Sequence, residues 1–248
     1  MSEKITILDI DFDNVSLTKA VDMIFESVAD RNKKIIQFIN ANCLNISISD
    51  KEYKKILKKS DHIFPDGSGI NMACKILKTP VIDNVNGTDM LPLLCKKSLL
   101  ENRSFFFLGS EPEVIRKMSE KINEKFPGIN IKGFHDGYFS QNDNPEIIDQ
   151  INKAETDILL VGMGTPLQEK WISKNQQKLN VRVIIGVGGL FDFYSGKTPR
   201  APKILRRYGL EWGYRLYKEP FRLFRRYVFG NPLFIMRILW WKFSRQKE

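Results

Sequence analysis

The sequence predicts an α/β fold with a Rossmann-like, mostly parallel sheet flanked by helices, followed by a basic, aromatic-rich helical appendage at the C-terminus. Strand-like segments alternate with helical segments of about 10 to 15 residues, which is typical of βαβ units. Residues 157–161 are an unbroken apolar run, as expected for a strand covered on both faces. Glycine-rich turns follow several predicted strands, so we expect one ligand crevice at the carboxyl edge of the sheet.

The first elements are a hairpin, a helix and a buried strand. Residues 5–13 alternate apolar and acidic side chains, which indicates a short strand or hairpin. This stretch contains two Asp-x-Asp patterns, which either hold a divalent ion or lie on the polar face of an edge strand, and the alternation favours the second interpretation. Ser16 is a candidate N-cap for a helix ending near Ala29, and residues 34–39 have the composition of a buried strand.

Asp66 follows the next predicted strand, at residues 62–64. Pro65 ends that strand, because proline cannot donate to a sheet ladder, and Gly67 permits a tight turn and the close approach of a ligand. Asp66 is therefore either a general base at the crevice or only the N-cap of the helix predicted at residues 68–77. The local sequence favours the cap.

Two other polar turns offer the same choice between binding and capping. Asn40 and Asn42, after the strand at 34–39, either bind a polar ligand or cap the next helix, and the cap is favoured. Thr88 and Asp89 are candidate N-caps for a helix expected to start near residue 90, and a helix N-terminus also suits an anion.

The remaining core elements continue the alternation. Later strands are expected at residues 104–108, 129–134, 157–161 and 181–187, and later helices at residues 90–101, 111–125 and 145–154. Pro166 suits a first helical turn, and Gly188 and Gly189 follow the last core strand. No turn has the GxGxxG or GxxxxGK[ST] spacing, which argues against NAD-binding and P-loop functions.

Composition indicates a globular chain of 248 residues, with 42% hydrophobic and 27% charged side chains. Three cysteines (Cys43, Cys74 and Cys95) have no metal-like spacing and lie in apolar helical contexts, so we expect buried thiols and a reducing compartment. The first residues lead directly into a predicted strand, so no signal peptide is expected. No apolar run approaches the roughly 20 residues of a membrane-spanning helix.

The last fifth of the chain carries the whole charge excess. Residues 200–248 contain thirteen Lys and Arg against three Asp and Glu, so their net charge equals the +10 of the entire chain. This boundary predicts an α/β catalytic core at residues 1–195 and a helical appendage at 196–248, in which prolines separate short helices. The appendage either lies on an anionic membrane surface, forms a lid or oligomer contact, or binds nucleic acid; its density of Trp and Phe favours the membrane.

Ten motifs in this order resemble the WecG/TagA/CpsF family of bacterial glycosyltransferases over about residues 5–240. They are Asn40-Ala41-Asn42, Pro65-Asp66-Gly67-Ser68-Gly69, Asn86-Gly87-Thr88-Asp89, Phe107-Leu108-Gly109, Gly137-Tyr138-Phe139, Gly164-Thr165-Pro166-Leu167-Gln168-Glu169-Lys170-Trp171-Ile172, Gly186-Val187-Gly188-Gly189-Leu190-Phe191-Asp192-Phe193, Arg200-Ala201-Pro202, Gly209-Leu210-Glu211-Trp212 and Glu219-Pro220. The resemblance implies a Rossmann-like core with a helical appendage. It also implies an inverting transfer of N-acetylmannosamine, or its uronate, from UDP to undecaprenyl-diphosphate-linked N-acetylglucosamine. Neither a metal nor another cofactor is expected.

The resemblance assigns roles to individual residues and reverses the local preference for Asp66, which becomes the general base. The implied substrate-binding residues are Asn40, Asn42, Gly67, Asn84, Thr88, Asp89, Gln168, Gly188, Gly189, Arg200, Arg207 and Arg215. The glycine pair is expected to let the diphosphate approach the backbone, and the arginines to neutralise the leaving UDP in place of a metal.

Two departures from the family pattern leave the donor sugar open. Phe38 stands where many members have threonine, and Asn84 stands where many have arginine. The alternatives are a related UDP-hexose transferase, a UDP-N-acetylmannosaminuronate transferase or a non-catalytic, membrane-attached nucleotide-binding scaffold; nucleic acid is not expected as a partner. We expect a cytoplasmic, peripheral protein on the inner face of the membrane, with a possible homo-oligomer through the core. Removing everything after about Asp192 is expected to leave a folded core.

Overall fold

A computed structural model describes residues 3–30 and 32–245 as a hairpin, a six-stranded sheet and flanking helices. The hairpin strands are β1 (Lys4–Ile7) and β2 (Ile10–Asp13), and the sheet strands are β3 (Lys34–Ile39), β4 (His62–Pro65), β5 (Ser104–Gly109), β6 (Asn130–His135), β7 (Ile158–Gly162) and β8 (Val183–Gly186). The sheet order is β4-β3-β8-β7-β5-β6, and every neighbouring pair is parallel. The predicted fold class is confirmed, and the carboxyl ends of all six strands share one edge.

The helices follow the predicted alternation. They are α1 (Leu17–Ala29), α2 (Ala41–Ser49), α3 (Lys51–Lys58), α4 (Ser68–Leu77), α5 (Gly87–Glu101), α6 (Pro112–Lys125), α7 (Asn144–Lys153), α8 (Leu167–Asn175), α9 (Leu190–Ser195), α10 (Lys203–Arg207), α11 (Glu211–Lys218), α12 (Pro220–Phe224) and α13 (Gly230–Arg245). Short 3₁₀ turns precede α7 and follow α8, and a π turn at Arg225–Phe229 joins α12 to α13.

Side-chain caps fix where two of these helices begin. Ser16 caps α1 as predicted, with its hydroxyl accepting from the Lys19 N–H at 3.2 Å. The prediction that Thr88 or Asp89 caps α5 is wrong. Asn86 has extended backbone and accepts from the Asp89 N–H at 2.8 Å, so the helix begins at Gly87, earlier than expected.

Three apolar clusters hold the layers together. One face of the sheet packs against α1, α5, α6 and α9, and the other face packs against α7 and α8. A third cluster joins the hairpin to α2, α3, α4 and α13. Because both faces are covered, the central strands are apolar along their whole length, which explains the unbroken run at β7.

The carboxylates of the hairpin contact other groups of the protein. Asp13 is fully buried rather than on a polar face, and it accepts from the Ile63 N–H at 3.1 Å. Asp11 accepts from the Thr6 hydroxyl, and Asp9 forms an ion pair with Lys54 at 2.8 Å. The alternating pattern thus predicts the hairpin correctly but not the burial of its last carboxylate.

The final helix is longer and more deeply packed than the sequence indicated. Pro232 lies in the first turn of α13, where the missing N–H needs no partner, so it does not break the helix. Phe234 and Ile238 are fully buried against the third cluster. Cutting the chain after Asp192 would therefore expose apolar core surface. Among the described residues, no helix is both long and apolar enough to span a bilayer.

Candidate active site

A cleft of about 1290 Å³ opens at the carboxyl edge of the sheet, beneath α11, α12 and the π turn. Eight residues assigned from the sequence line it: Asn40, Asn42, Asp66, Thr88, Gln168, Gly188, Gly189 and Arg215. They come from the ends of β3, β4 and β8, from the starts of α2, α5 and α8, and from α11. The parallel topology brings these distant segments together, because strand ends in a parallel sheet share one edge.

Asp66 lies on the cleft floor and does not cap α4. Its own N–H donates to the Ile39 carbonyl at 2.8 Å, which continues the ladder between β3 and β4 for one more residue. Gly67 is the N-cap residue of α4, has a φ of +92° and supplies no side-chain cap. This left-handed turn, which glycine adopts readily, separates Asp66 from the helix and leaves its carboxylate facing the cleft.

Two opposing effects set the pKa of Asp66: burial of the carboxyl group and the positive charge of neighbouring arginines. Burial raises the pKa of Asp66 to about 6, and the positive charges of Arg226 and Arg215 oppose this rise. Glu211 adds to the rise, whereas a hydrogen bond from Asn40 favours the ionised form. At pH 7 the carboxylate is therefore mostly ionised and still able to accept a proton, as a general base requires.

Asn40 is both a helix cap and the partner of Asp66. Its Oδ1 accepts from the N–H groups of Asn42 at 3.0 Å and Cys43 at 3.1 Å, so the favoured cap is present at the start of α2. Because these two donors fix the position of Oδ1, the Nδ2 amide group of Asn40 is oriented to donate to Asp66. Asn42 lines the cleft beside it.

Gln168 connects α8 to the glycine turn after β8. It is almost fully buried, its Oε1 accepts from the Gly188 N–H at 2.9 Å, and its Nε2 donates to Glu169 at 3.1 Å. Gly188 has a φ of +57° and open space where a side chain would stand. The Gly188 N–H is thus already bonded within the protein, while Gly188 and Gly189 both line the cleft, and the approach of a diphosphate to this glycine pair stays a prediction.

Basic side chains of the appendage form the roof of the cleft. The guanidinium of Arg215 stacks over Phe193 at 5.1 Å and that of Arg226 over Tyr227 at 5.4 Å. Within the described residues, the buried Nε atoms of both arginines have no hydrogen-bond partner. Lys218 and Arg222 line the same roof, although Arg222 is paired with Glu219. The roof is thus prepared for an anion.

Five assigned residues do not line the cleft. Asp89 and Arg200 form an ion pair with each other, and Arg207 is exposed on α10. Asn84 accepts from the Gly67 N–H at 2.6 Å and so supports the Asp66 turn from behind. Folding gives Asp89, Arg200, Asn84 and Gly67 structural partners, which sequence position alone does not reveal.

The sequence assignment also missed residues that the structure places in the cleft. Arg226 lines the roof and acts on Asp66, yet no spacing rule links it to Arg215, because the chain turns between α11 and α12 at Glu219. Phe38 lines the floor with its ring 6.0 Å from that of Phe64. Its position two residues before Asn40, where many family members have threonine, was the available signal.

The sequence profile of the glycosyl transferase WecG/TagA/CpsF family matches residues 5–248. The chain belongs to this family. It is 32% identical to the N-acetylglucosaminyldiphosphoundecaprenol N-acetyl-beta-D-mannosaminyltransferase of Bacillus spizizenii, over 93% of this chain and 88% of that protein. The enzymes of the same name from Bacillus subtilis and Staphylococcus aureus are 32% and 28% identical, over 94% and 95% of this chain and 90% and 92% of theirs.

Membership of the WecG/TagA/CpsF family makes the chain a glycosyltransferase and confirms the predicted family. A glycosyl transfer needs a group that accepts the proton of the attacking hydroxyl and positive charge for the leaving group. The cleft holds the Asp66 carboxylate on its floor and, in its roof, two guanidinium groups whose Nε atoms have no hydrogen-bond partner among the described residues, which suits both requirements.

Proposed function

We propose that this chain transfers N-acetylmannosamine from UDP to undecaprenyl-diphosphate-linked N-acetylglucosamine, with inversion at the anomeric carbon. The relatives named above are named for the transfer of an N-acetylmannosaminyl group to that acceptor. The observation that carries the proposal is the placement of Asp66, a carboxylate on the cleft floor that faces two arginines in the roof. UDP is the donor nucleotide in this proposal.

Asp66 acts as the general base. It accepts the proton of the acceptor hydroxyl while that oxygen attacks the sugar C1 from the face opposite the departing UDP. Asn40 orients the carboxylate through its hydrogen bond, and the cap on α2 holds Asn40 in place. One displacement with one base inverts the anomeric centre.

Arg215 and Arg226 bind the diphosphate of UDP and stabilise the charge that develops on it as the bond to C1 breaks. Aromatic rings hold both guanidinium groups, and their Nε atoms point into protein without a partner among the described residues. A charge fixed in advance stabilises a transition state without rearrangement. Asn42, Thr88, Gly188 and Gly189 complete the wall around the sugar nucleotide.

The appendage at residues 196–248 attaches the protein to the inner face of the membrane, where the lipid-linked acceptor lies. Its exposed aromatic residues include Tyr217, Phe221, Phe229, Trp240 and Phe243. Basic side chains alternate with them, so one surface offers apolar insertion together with attraction to anionic headgroups. Tyr217, Phe221 and Phe229 lie on α11, α12 and the π turn, which also supply the cleft roof, and this supports an active site next to that surface.

The test is acceptor-dependent release of UDP from UDP-N-acetylmannosamine, with a lipid-diphosphate N-acetylglucosamine analogue as acceptor. Release by the wild type and none by Asp66→Asn would support both the reaction and the base. If UDP is released only from another UDP-sugar, that sugar nucleotide is the donor. Phe38 on the cleft floor is then the first residue to examine. UDP binding with no turnover across a donor panel would overturn the proposal and favour the nucleotide-binding scaffold.

A further inference from the structure

Glu169 is a fully buried carboxyl group directly behind the cleft. It contacts two residues that line the cleft: its Oε1 accepts from Thr165 Oγ1 at 2.9 Å and from Gln168 Nε2 at 3.1 Å. No salt bridge reaches it within the described residues, and its Oε2 has no hydrogen-bond partner there. Burying a carboxyl group without a cation is costly, so the two hydrogen bonds that Glu169 accepts need a structural explanation.

The side chain of Gln168 has only one orientation that satisfies both of its neighbours. The Gly188 N–H donates to Oε1 at 2.9 Å, while Nε2 donates to Glu169. Exchanging the two ends of the amide would place an N–H group against the Gly188 N–H and an oxygen against the carboxyl oxygen. On the sheet side, Gln37 and Gln168 fill the space above Gly186, where a Cβ would lie 2.2 Å and 2.9 Å from their amide atoms.

We propose that Glu169 is a positioning residue that acts through Gln168 to hold the Gly188–Gly189 turn in the conformation that receives the donor nucleotide. The proposal rests on the proposed function, because that function assigns the turn to the donor wall. Glu169 itself touches no substrate, and its effect passes through two hydrogen bonds in series.

The surroundings of Glu169 explain why glutamine can replace it. Cys43 from α2, Tyr53 from α3 and Thr165 from the turn before α8 face the carboxyl group. Burial raises the pKa of both Cys43 and Tyr53, so neither supplies a charge near neutral pH. Burial also raises the pKa of Glu169 to about 7, and a neutral amide with an acceptor oxygen in the same place therefore preserves both hydrogen bonds.

The experiment measures the dissociation constant of UDP by calorimetry on full-length wild type, Glu169→Gln, Glu169→Ala and Asn175→Ala, together with the melting temperature of each. Glu169→Ala is expected to weaken UDP binding about tenfold, the effect of one well-placed hydrogen bond to a charged ligand, and Glu169→Gln by less than about twofold. Asn175 is the matched control: it is buried on the same helix and, within the described part of the chain, its side chain donates to the Trp171 carbonyl at 2.9 Å and to no cleft residue.

Gln168→Met separates the proposed connection from general destabilisation, because it breaks the link and leaves the buried carboxyl in place. It is expected to weaken UDP binding as much as Glu169→Ala, and the double variant no further. Wild-type affinity in Gln168→Met or Glu169→Ala would overturn the inference. So would an equal loss of affinity in Asn175→Ala. A wild type that binds no UDP would instead overturn the proposed function.

Discussion

Arg200 binds Asp89 with both terminal guanidinium nitrogens, and the Nη2–Oδ2 distance is 3.2 Å. Arg200 lies at the start of the appendage and Asp89 in the first turn of α5, so the pair joins the roof of the cleft to its wall. Arg200 Nε also lies 3.7 Å from Glu211, which opens α11 one turn before Arg215. The two residues that the sequence assigns to substrate therefore fix the helix that carries a cleft arginine.

Asp89→Asn should lower both stability and donor affinity. Burial alone would raise the pKa of Asp89, but hydrogen bonds from Arg200 and Asn86 hold it below its ordinary value, so the carboxylate is fully charged near neutral pH. We expect a loss of about 1 kcal/mol of unfolding free energy, since the pair is partly exposed. A higher KM for the donor should follow, because α11 loses its anchor. Kinetics and thermal unfolding check both effects.

The control for this pair is Glu120→Gln, which breaks an exposed pair with Arg116 on α6. It should change neither the melting temperature nor the KM for the donor appreciably. If Asp89→Asn lowers stability while the KM for the donor stays at the wild-type value, the ion pair does not position Arg215.

Asp66→Asn should slow turnover strongly and stabilise the fold. Because the pKa of Asp66 is raised from 3.8 to about 6, the carboxylate favours folding least when it is ionised. The variant should gain about 2 kcal/mol over the wild type at pH 7, and this gain should vanish as pH falls through 6 towards 4. Turnover should fall by about 10² to 10⁴. Chemical denaturation at both pH values measures the stability difference, and a less stable variant at pH 7 would contradict this account.

The rate of transfer should rise with pH through about 6, since only ionised Asp66 accepts a proton. Arg226 lowers the pKa of this carboxyl group, so Arg226→Gln should move the acidic limb of kcat/KM to higher pH. Arg237→Gln is the control, because Arg237 donates to Asn45 away from the cleft. An acidic limb that stays at the wild-type pH in Arg226→Gln would show that this arginine does not act on the base.

Local patterns predicted the order of the elements, because apolar periodicity and strand-ending residues act over short distances. The run at β7, the Ser16 cap and the end of β4 at Pro65 are all read from adjacent residues. The assignment of Asp66 as a general base needed the family resemblance, since the local pattern favoured a helix cap. Only the fold shows that Gly67 holds the N-cap position and frees the carboxylate.

Partners distant in sequence could not be predicted. Asp89 and Arg200 are 111 positions apart, and Gln168 and Gly188 are 20 apart. Each of these residues matches a substrate-binding role by its chemistry, and a partner within the protein is visible only when the chain is folded. The appendage shows the same limit: composition predicted its basic and aromatic surface, whereas the burial of Phe234 and Ile238 depends on where α2 and α4 lie.

The two roof arginines should account for much of the affinity for UDP. Arg215→Gln and Arg226→Gln should each weaken UDP binding about tenfold or more, since each removes a charge-assisted contact to the diphosphate. Arg207→Gln should leave UDP affinity unchanged, because Arg207 is exposed on α10 and does not line the cleft. Calorimetry in the absence of lipid excludes any effect of membrane binding on the measured UDP affinity. Equal losses in all three variants would indicate a general effect of net charge on the appendage.

Exposed aromatic residues of the appendage should carry attachment to anionic membranes. Phe221 and Trp240 are largely exposed, so replacing both with serine removes apolar surface without disturbing the buried contacts of α13. We expect binding to phosphatidylglycerol vesicles to fall more than tenfold and the melting temperature to stay within about 2 °C of the wild type. Leu100→Ser, on the exposed C-terminal turn of α5, is the control and should bind as the wild type does. If the double variant still sediments with the vesicles as the wild type does, this face of the appendage does not attach the protein to the membrane.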